Sequence, residues 1–103
     1  MSRLKRIERY PVEYSELFLR AERDGSARVQ CKTHNEASYL QRELYNFRTA
    51  LRKAPSYYPS VVLFMDNIRI FVTRENTVEL VSKTALREEM HRALFGEDAN
   101  ASP

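Results

Sequence analysis

Arg42, Arg48 and Arg52 lie within one short stretch together with Gln41, Tyr45 and Lys53. The set suits contact with anionic oxygens. A guanidinium is planar, always charged and able to grip phosphate or carboxylate through two parallel hydrogen bonds. On a helical wheel over residues 34–54, Ala37, Leu40, Leu44, Phe47, Leu51 and Ala54 fall within one sector of roughly 100°. Beside that stripe lie Arg48, Gln41, Arg52, Tyr45, Ser38, Thr49 and Arg42, with no acidic residue among them. Glu36 and Glu43 sit on the opposite flank. Arginines so placed can reach backbone phosphates along one edge, while Gln41, Ser38 and Thr49 supply neutral hydrogen bonds. Tyr45 can stack on a base or pack against sugar.

Two neighbouring features extend this pattern. Tyr57 and Tyr58 closely follow Arg52 and Lys53, placing aromatic rings beside cations, the combination that holds unstacked bases. They also suit a plainer role, pinning to the core a loop already stiffened by Pro55 and Pro59. Arg3, Lys5, Arg6 and Arg9 make residues 1–9 a basic N-terminal arm of the kind that follows a groove or phosphate backbone. These residues predict a non-catalytic nucleic-acid-binding or regulatory domain, for DNA or RNA, acting through the arginine face of the 34–54 helix. Arginine and tyrosine are equally the composition of protein-interface hot spots. The alternative is therefore an interaction module or inhibitor that docks on an acidic surface of a partner protein.

Catalytic chemistry finds less support. The only glycines, Gly25 and Gly96, are too far apart for a phosphate-cradling loop, and no spacing of Ser, His and Asp singles out a triad. Cys31 and His34 have a spacing that suits two metal ligands, yet a site needs three or four. A thiolate at Cys31 would be favoured by the start of the following helix, but alternation around it reads as a small core residue on a strand. Asp66, Glu75 and Glu79 are scattered among turns and strand ends rather than clustered for a catalytic metal. No cofactor, no metal and no enzymatic activity are expected.

Composition sets the outer bounds. A chain of 103 residues with 43% hydrophobic and 30% charged residues fits one small folded domain. The net charge of +3 is unevenly spread: residues 1–53 hold 12 Lys+Arg against 7 Asp+Glu, and residues 54–103 hold 5 against 7. Arginine outnumbers lysine 13 to 4, which codon bias in a GC-rich genome would also produce. With one cysteine there is no internal disulfide. No apolar run approaches a membrane span, and no apolar stretch follows the basic start, so neither a signal peptide nor a membrane partner is expected and the cytoplasm is the default location.

The elements that would position these groups read as follows. Pro11 opens a helix over 11–24, with Tyr14, Leu17, Phe18 and Ala21 on one face and Asp24-Gly25 at its end; a strand over 16–23 with a hairpin turn is the rival reading. Residues 27–32 alternate as a half-buried strand. Thr33 and Glu36 form a capping box for the 34–54 helix, which Pro55 stops. Val61–Met65 reads as a buried strand, Asp66-Asn67 as a tight turn, 68–73 as a second strand, Glu75-Asn76 as another turn and Thr77–Val81 as a third strand. Ser82 or Thr84 caps a last helix whose buried face is Leu86, Met90, Ala93 and Leu94. The predicted fold class is α+β: a small antiparallel sheet with helices packed mainly on one face, in the order α-β-α-β-β-β-α. The domain spans 10–96, followed by a flexible tail over 97–103. An unpaired edge at 27–32 or 77–81 could pair across a homodimer.

Overall fold

The computed structural model describes residues 4–95, Phe95 by its backbone alone; Arg3 and the expected tail 97–103 lie outside the described residues. Within that span the chain is an α+β domain. Its order is α1 (Val12–Asp24), β1 (Ser26–Gln30), α2 (His34–Lys53), α3 (Pro59–Val62), β2 (Ile68–Val72), β3 (Thr77–Ser82) and α4 (Lys83–Phe95). The sheet is antiparallel with spatial order β1-β3-β2. The strand expected over 77–81 is therefore central, and the edges are β1 and β2.

Side-chain alternation assigns the two sheet faces. Ala27 and Val29 of β1, Val78 and Leu80 of β3, and Ile68 and Ile70 of β2 share the inner face, set by the pairings Ala27↔Leu80 and Ile70↔Leu80. Against it pack Leu17, Phe18 and Ala21 of α1 and Ala37, Leu44, Phe47 and Leu51 of α2, all in the core. The stripe expected on α2 is thus confirmed, with Leu40 and Ala54 at its half-buried margin. The Phe47 ring lies 5.8–5.9 Å from the rings of Tyr10, Tyr14, Phe18 and Tyr58. It joins four separate segments.

The local signals behave as their chemistry requires. Residues 12–24 are helix, and Gly25 ends it with φ of +90°, a left-handed conformation that suits glycine. Its carbonyl then accepts from the Ser82 N–H at 2.9 Å, so one residue both stops α1 and starts the sheet. Thr33 Oγ1 accepts from the Glu36 N–H at 3.1 Å, and the Glu36 carboxylate reaches back to the Lys32 N–H. Asn76, with φ of 63°, closes the β2–β3 hairpin.

Three expectations are corrected. Val61–Met65 is not a strand. Pro59 opens a helical turn, the Tyr58 carbonyl accepts from Val61 and Val62 N–H, and a 3-10 turn at Met65–Asn67 replaces the tight turn. Val61 and Met65, at helical i, i+4 spacing, are the buried members, whereas Leu63 is exposed. A five-residue apolar run carries no periodicity that separates strand from helix.

The basic segment over 1–9 is not a loose arm across its described part. Leu4, Ile7 and Tyr10 recur every three residues, the period of the 3-10 turn at Ile7–Arg9, and Ile7 and Tyr10 are only 4% and 5% exposed. The face of α4 expected to be buried is open instead, with Met90 55% and Leu94 76% exposed. Ser82 does cap that helix, its Oγ accepting from the Ala85 N–H at 3.2 Å. But α4 leaves the sheet where β3 ends, and Ala85 and Leu86 of its first turn are half-buried while residues 87–94 are exposed.

Packing of the N-terminal segment creates one perturbed titration. Lys5 Nζ donates to Glu43 Oε1 at 3.1 Å, and this hydrogen bond and its charge raise the Lys5 pKa. Glu43 itself is 8% exposed. Tyr14, half-buried beside it, is pushed up to about 12, first by burial and then by the Glu43 charge. The folded state prefers the neutral phenol, so its contribution is intact below the ordinary value of 10.0 and is lost as pH rises from there towards about 12. Tyrosinate absorbance should show one late component near pH 12, absent in Tyr14→Phe. The same titration curve for the unaltered protein and Tyr14→Phe above about pH 11, with no late component to lose, would contradict it.

Candidate binding surface

The arginine face of α2 divides into residues held by the fold and residues that remain outward. β2 explains the division. Thr73 N–H donates to the Thr77 carbonyl, so odd-numbered β2 residues exchange hydrogen bonds with β3 and the carbonyls of Ile68 and Ile70 point to the sheet's outer edge. Side chains of α2 take up those groups. Tyr45 Oη donates to the Ile70 carbonyl at 2.9 Å and Gln41 Nε2 to the same oxygen at 3.2 Å. Arg48 Nη1 donates to the carbonyls of Ile68 at 3.0 Å and Met65 at 3.4 Å. Three predicted contact residues thus occupy the outward Ile68 and Ile70 carbonyls of an edge strand, part of what would otherwise offer a template for pairing.

Arg48 is fixed by this role rather than used up by it. Its guanidinium lies 5.1 Å from the Tyr45 ring centroid, a cation–π contact that also occupies the ring expected to stack on a base. Only Nη1 of its three nitrogens is engaged with the edge carbonyls. An arginine held this way loses little conformational freedom on meeting an anion.

Around Arg48 the surface forms a shallow notch of about 330 Å³, where Tyr45, Arg48, Arg69, Lys83 and Leu86 meet Ile68 and Ile70. No carboxylate lines it. Lys83 Nζ donates to the Asp66 main-chain carbonyl at 3.3 Å, and Arg52 makes an ion pair with the Asp66 carboxylate at the margin. Arg42 is exposed on α2 outside the notch lining. Among the described residues no carboxylate forms an ion pair with Arg42, Arg69 or Arg87. Lys83 and Leu86 also begin a face of α4 that carries Arg87 and the exposed Met90 and Leu94. The notch and this helix face adjoin through Lys83 and Leu86.

The other predicted residues gather elsewhere. Lys5, Arg6, Lys53 and Tyr57 line a hollow of about 410 Å³ between the N-terminal segment and the end of α2. Its cations are partly neutralised, Lys5 by Glu43 and Arg6 by Glu8 at 3.5 Å. Tyr57 is exposed, while Tyr58 turns inward against Phe47 and pins the loop. Ser38 Oγ lies 3.3 Å from a His34 ring nitrogen, and Thr49 Oγ1 donates to the Tyr45 carbonyl. Sequence reasoning missed Arg69, Lys83, Leu86, Met90 and Leu94. Arg69 and Lys83 carry charge in segments read only for strand and helix pattern, and an amphipathic stripe does not reveal that Met90 and Leu94 stay exposed.

The chain matches no family model, no curated protein and no solved structure.

Two further features bear on chemistry. Cys31 follows β1 half-buried, and burial, with the Glu36 charge adding, pushes its thiol up rather than towards a reactive thiolate. Among the described residues no group of three or more His, Cys, Asp or Glu comes together to hold a metal ion. No helix of the described residues is long and apolar enough to cross a membrane.

Proposed function

We propose that the chain is a non-catalytic interaction domain that docks an acidic, amphipathic segment of a partner protein across the notch and α4. One observation carries this reading: the notch at Arg48, Arg69 and Lys83, lined by no carboxylate among the described residues, adjoins the half-buried Leu86 and the exposed Met90 and Leu94 of α4. Cations alone would suit many anions. An adjoining apolar stripe selects one whose charges sit beside side chains worth burying, because each large apolar group removed from water contributes about 1.5–3 kcal/mol. Protein interfaces combine these ingredients, with an apolar centre and arginine at hot spots.

Nucleic acid is the second reading, favoured by Arg48, Arg52, Arg69 and Lys83, among which, of the described residues, Asp66 is the one carboxylate in an ion pair, with Arg52. Phosphate backbones would use those cations and leave Met90 and Leu94 in water. Two probes separate the readings: a labelled acidic amphipathic helical peptide, and single- and double-stranded oligonucleotides, each titrated at low and moderate salt. The peptide should bind and retain affinity as salt rises, because part of its binding is apolar. The oligonucleotides should bind weakly or not at all. Tight oligonucleotide binding whose log affinity falls linearly with log salt, with no peptide binding, would overturn the protein reading.

A further inference from the structure

The two edges of the sheet are treated differently. On β2 the outward Ile68 and Ile70 carbonyls are taken up by Gln41, Tyr45 and Arg48. β1 is open. The Cys31 N–H donates to the Asn76 carbonyl and the Gly25 carbonyl accepts from Ser82, so the odd-numbered residues of β1 bond to β3. The N–H and C=O groups of Ser26, Arg28 and Gln30 therefore point away from the sheet, and no described residue takes them up. Beside this edge lies a groove of about 280 Å³, where Leu17, Leu40 and Tyr14 surround the half-buried Val29, with Glu13, Glu16 and Arg20 at its rim.

The geometry points to β1 as the acceptor of an extended segment from a partner protein, one that alternates apolar residues with a central acidic residue. A strand added about 4.8 Å from β1 would satisfy the outward main-chain groups. Its side chain opposite Val29 would enter the groove. The residue opposite Arg28 would lie on the other face beside that guanidinium, which is exposed and only loosely paired with Glu79 at 3.8 Å. An acid there places Arg28 between two carboxylates, a favourable cross-strand arrangement. A second copy of the chain fits less well. The antiparallel register that pairs all of 26–30 with itself sets Arg28 directly opposite Arg28, and like charges so placed are destabilising. This surface is distinct from the notch and α4, and the inference stands without the reading proposed above.

The test is amide exchange by NMR on the full chain, with a short synthetic peptide of alternating valine and threonine carrying a central glutamate. In the protein alone, the amides of Ala27 and Val29 should exchange slowly and those of Ser26, Arg28 and Gln30 fast. Millimolar peptide should slow the second set. Arg28→Pro removes one outward N–H without touching the ladder to β3 and should weaken peptide binding about tenfold or more. Should that variant fold poorly, a peptide methylated on its β1-facing amide nitrogen, tested against the unaltered protein, should show the same loss. Three results would overturn the inference: no protection of Ser26, Arg28 and Gln30, binding that survives backbone methylation, or prior protection of these amides in a dimer.

Discussion

Phe47→Ala is expected to destabilise the fold by about 3–5 kcal/mol, the usual range for deleting a buried aromatic. The position explains why the upper part of that range applies. Phe47 is fully buried, and its ring meets Tyr10 from the N-terminal segment, Tyr14 and Phe18 from α1, and Tyr58 from the loop after α2. Removing it leaves a cavity bordered by four elements that cannot all close on it. Urea unfolding followed by circular dichroism measures the loss, read as a lower midpoint at unchanged slope. A shift under about 1 kcal/mol would show that the N-terminal segment and loop are not held through this ring.

Arg48→Met should cost about 1.5–3 kcal/mol, the range for hydrogen bonds that involve a charged group. Methionine keeps much of the aliphatic stem, so the loss reports the guanidinium. What goes is the double contact with the Ile68 and Met65 carbonyls and the stacking on Tyr45. Arg42→Met, on the same helix but without such partners, should be nearly neutral. The contrast is the informative part. If Arg48 were only an outward cation, both variants would unfold at the same urea concentration. With the Ile68 carbonyl released, Arg48→Met should also associate more readily at high concentration, which light scattering would detect.

Much of this molecule was legible in its residues because strong local signals agreed. The Thr33 cap, the stripe from Ala37 to Leu51 and Pro55 bounded α2 correctly, and the Asp24-Gly25 stop bounded α1. Failures came where tertiary partners decide. Leu4, Ile7 and Tyr10 had three-residue spacing, but the basic residues between them drew the reading towards a loose arm. Val61–Met65 was apolar enough for a strand, yet Tyr58 and Pro59 start a helical turn there. For the candidate site, the wheel found the charged sector of α2, and it could not know that β2 would lie beside it. That neighbour turned Gln41, Tyr45 and Arg48 into partners of its outward carbonyls. The same neighbour brought Arg69 and Lys83 up to Arg48, which no spacing within one element could announce.

The central claim is that the basic notch and the α4 stripe act as one docking surface for an acidic amphipathic segment. The most direct measurement titrates the acidic amphipathic peptide into the original protein and into the double variant Met90→Ser, Leu94→Ser. Both side chains are exposed, so the fold should be unaffected. Affinity should fall by about tenfold or more, since even a fraction of the 1.5–3 kcal/mol from each buried side chain exceeds the 1.4 kcal/mol of a tenfold change. Equal affinity in the two proteins, with binding that disappears as salt rises, would show that charge alone is read and would contradict the claim.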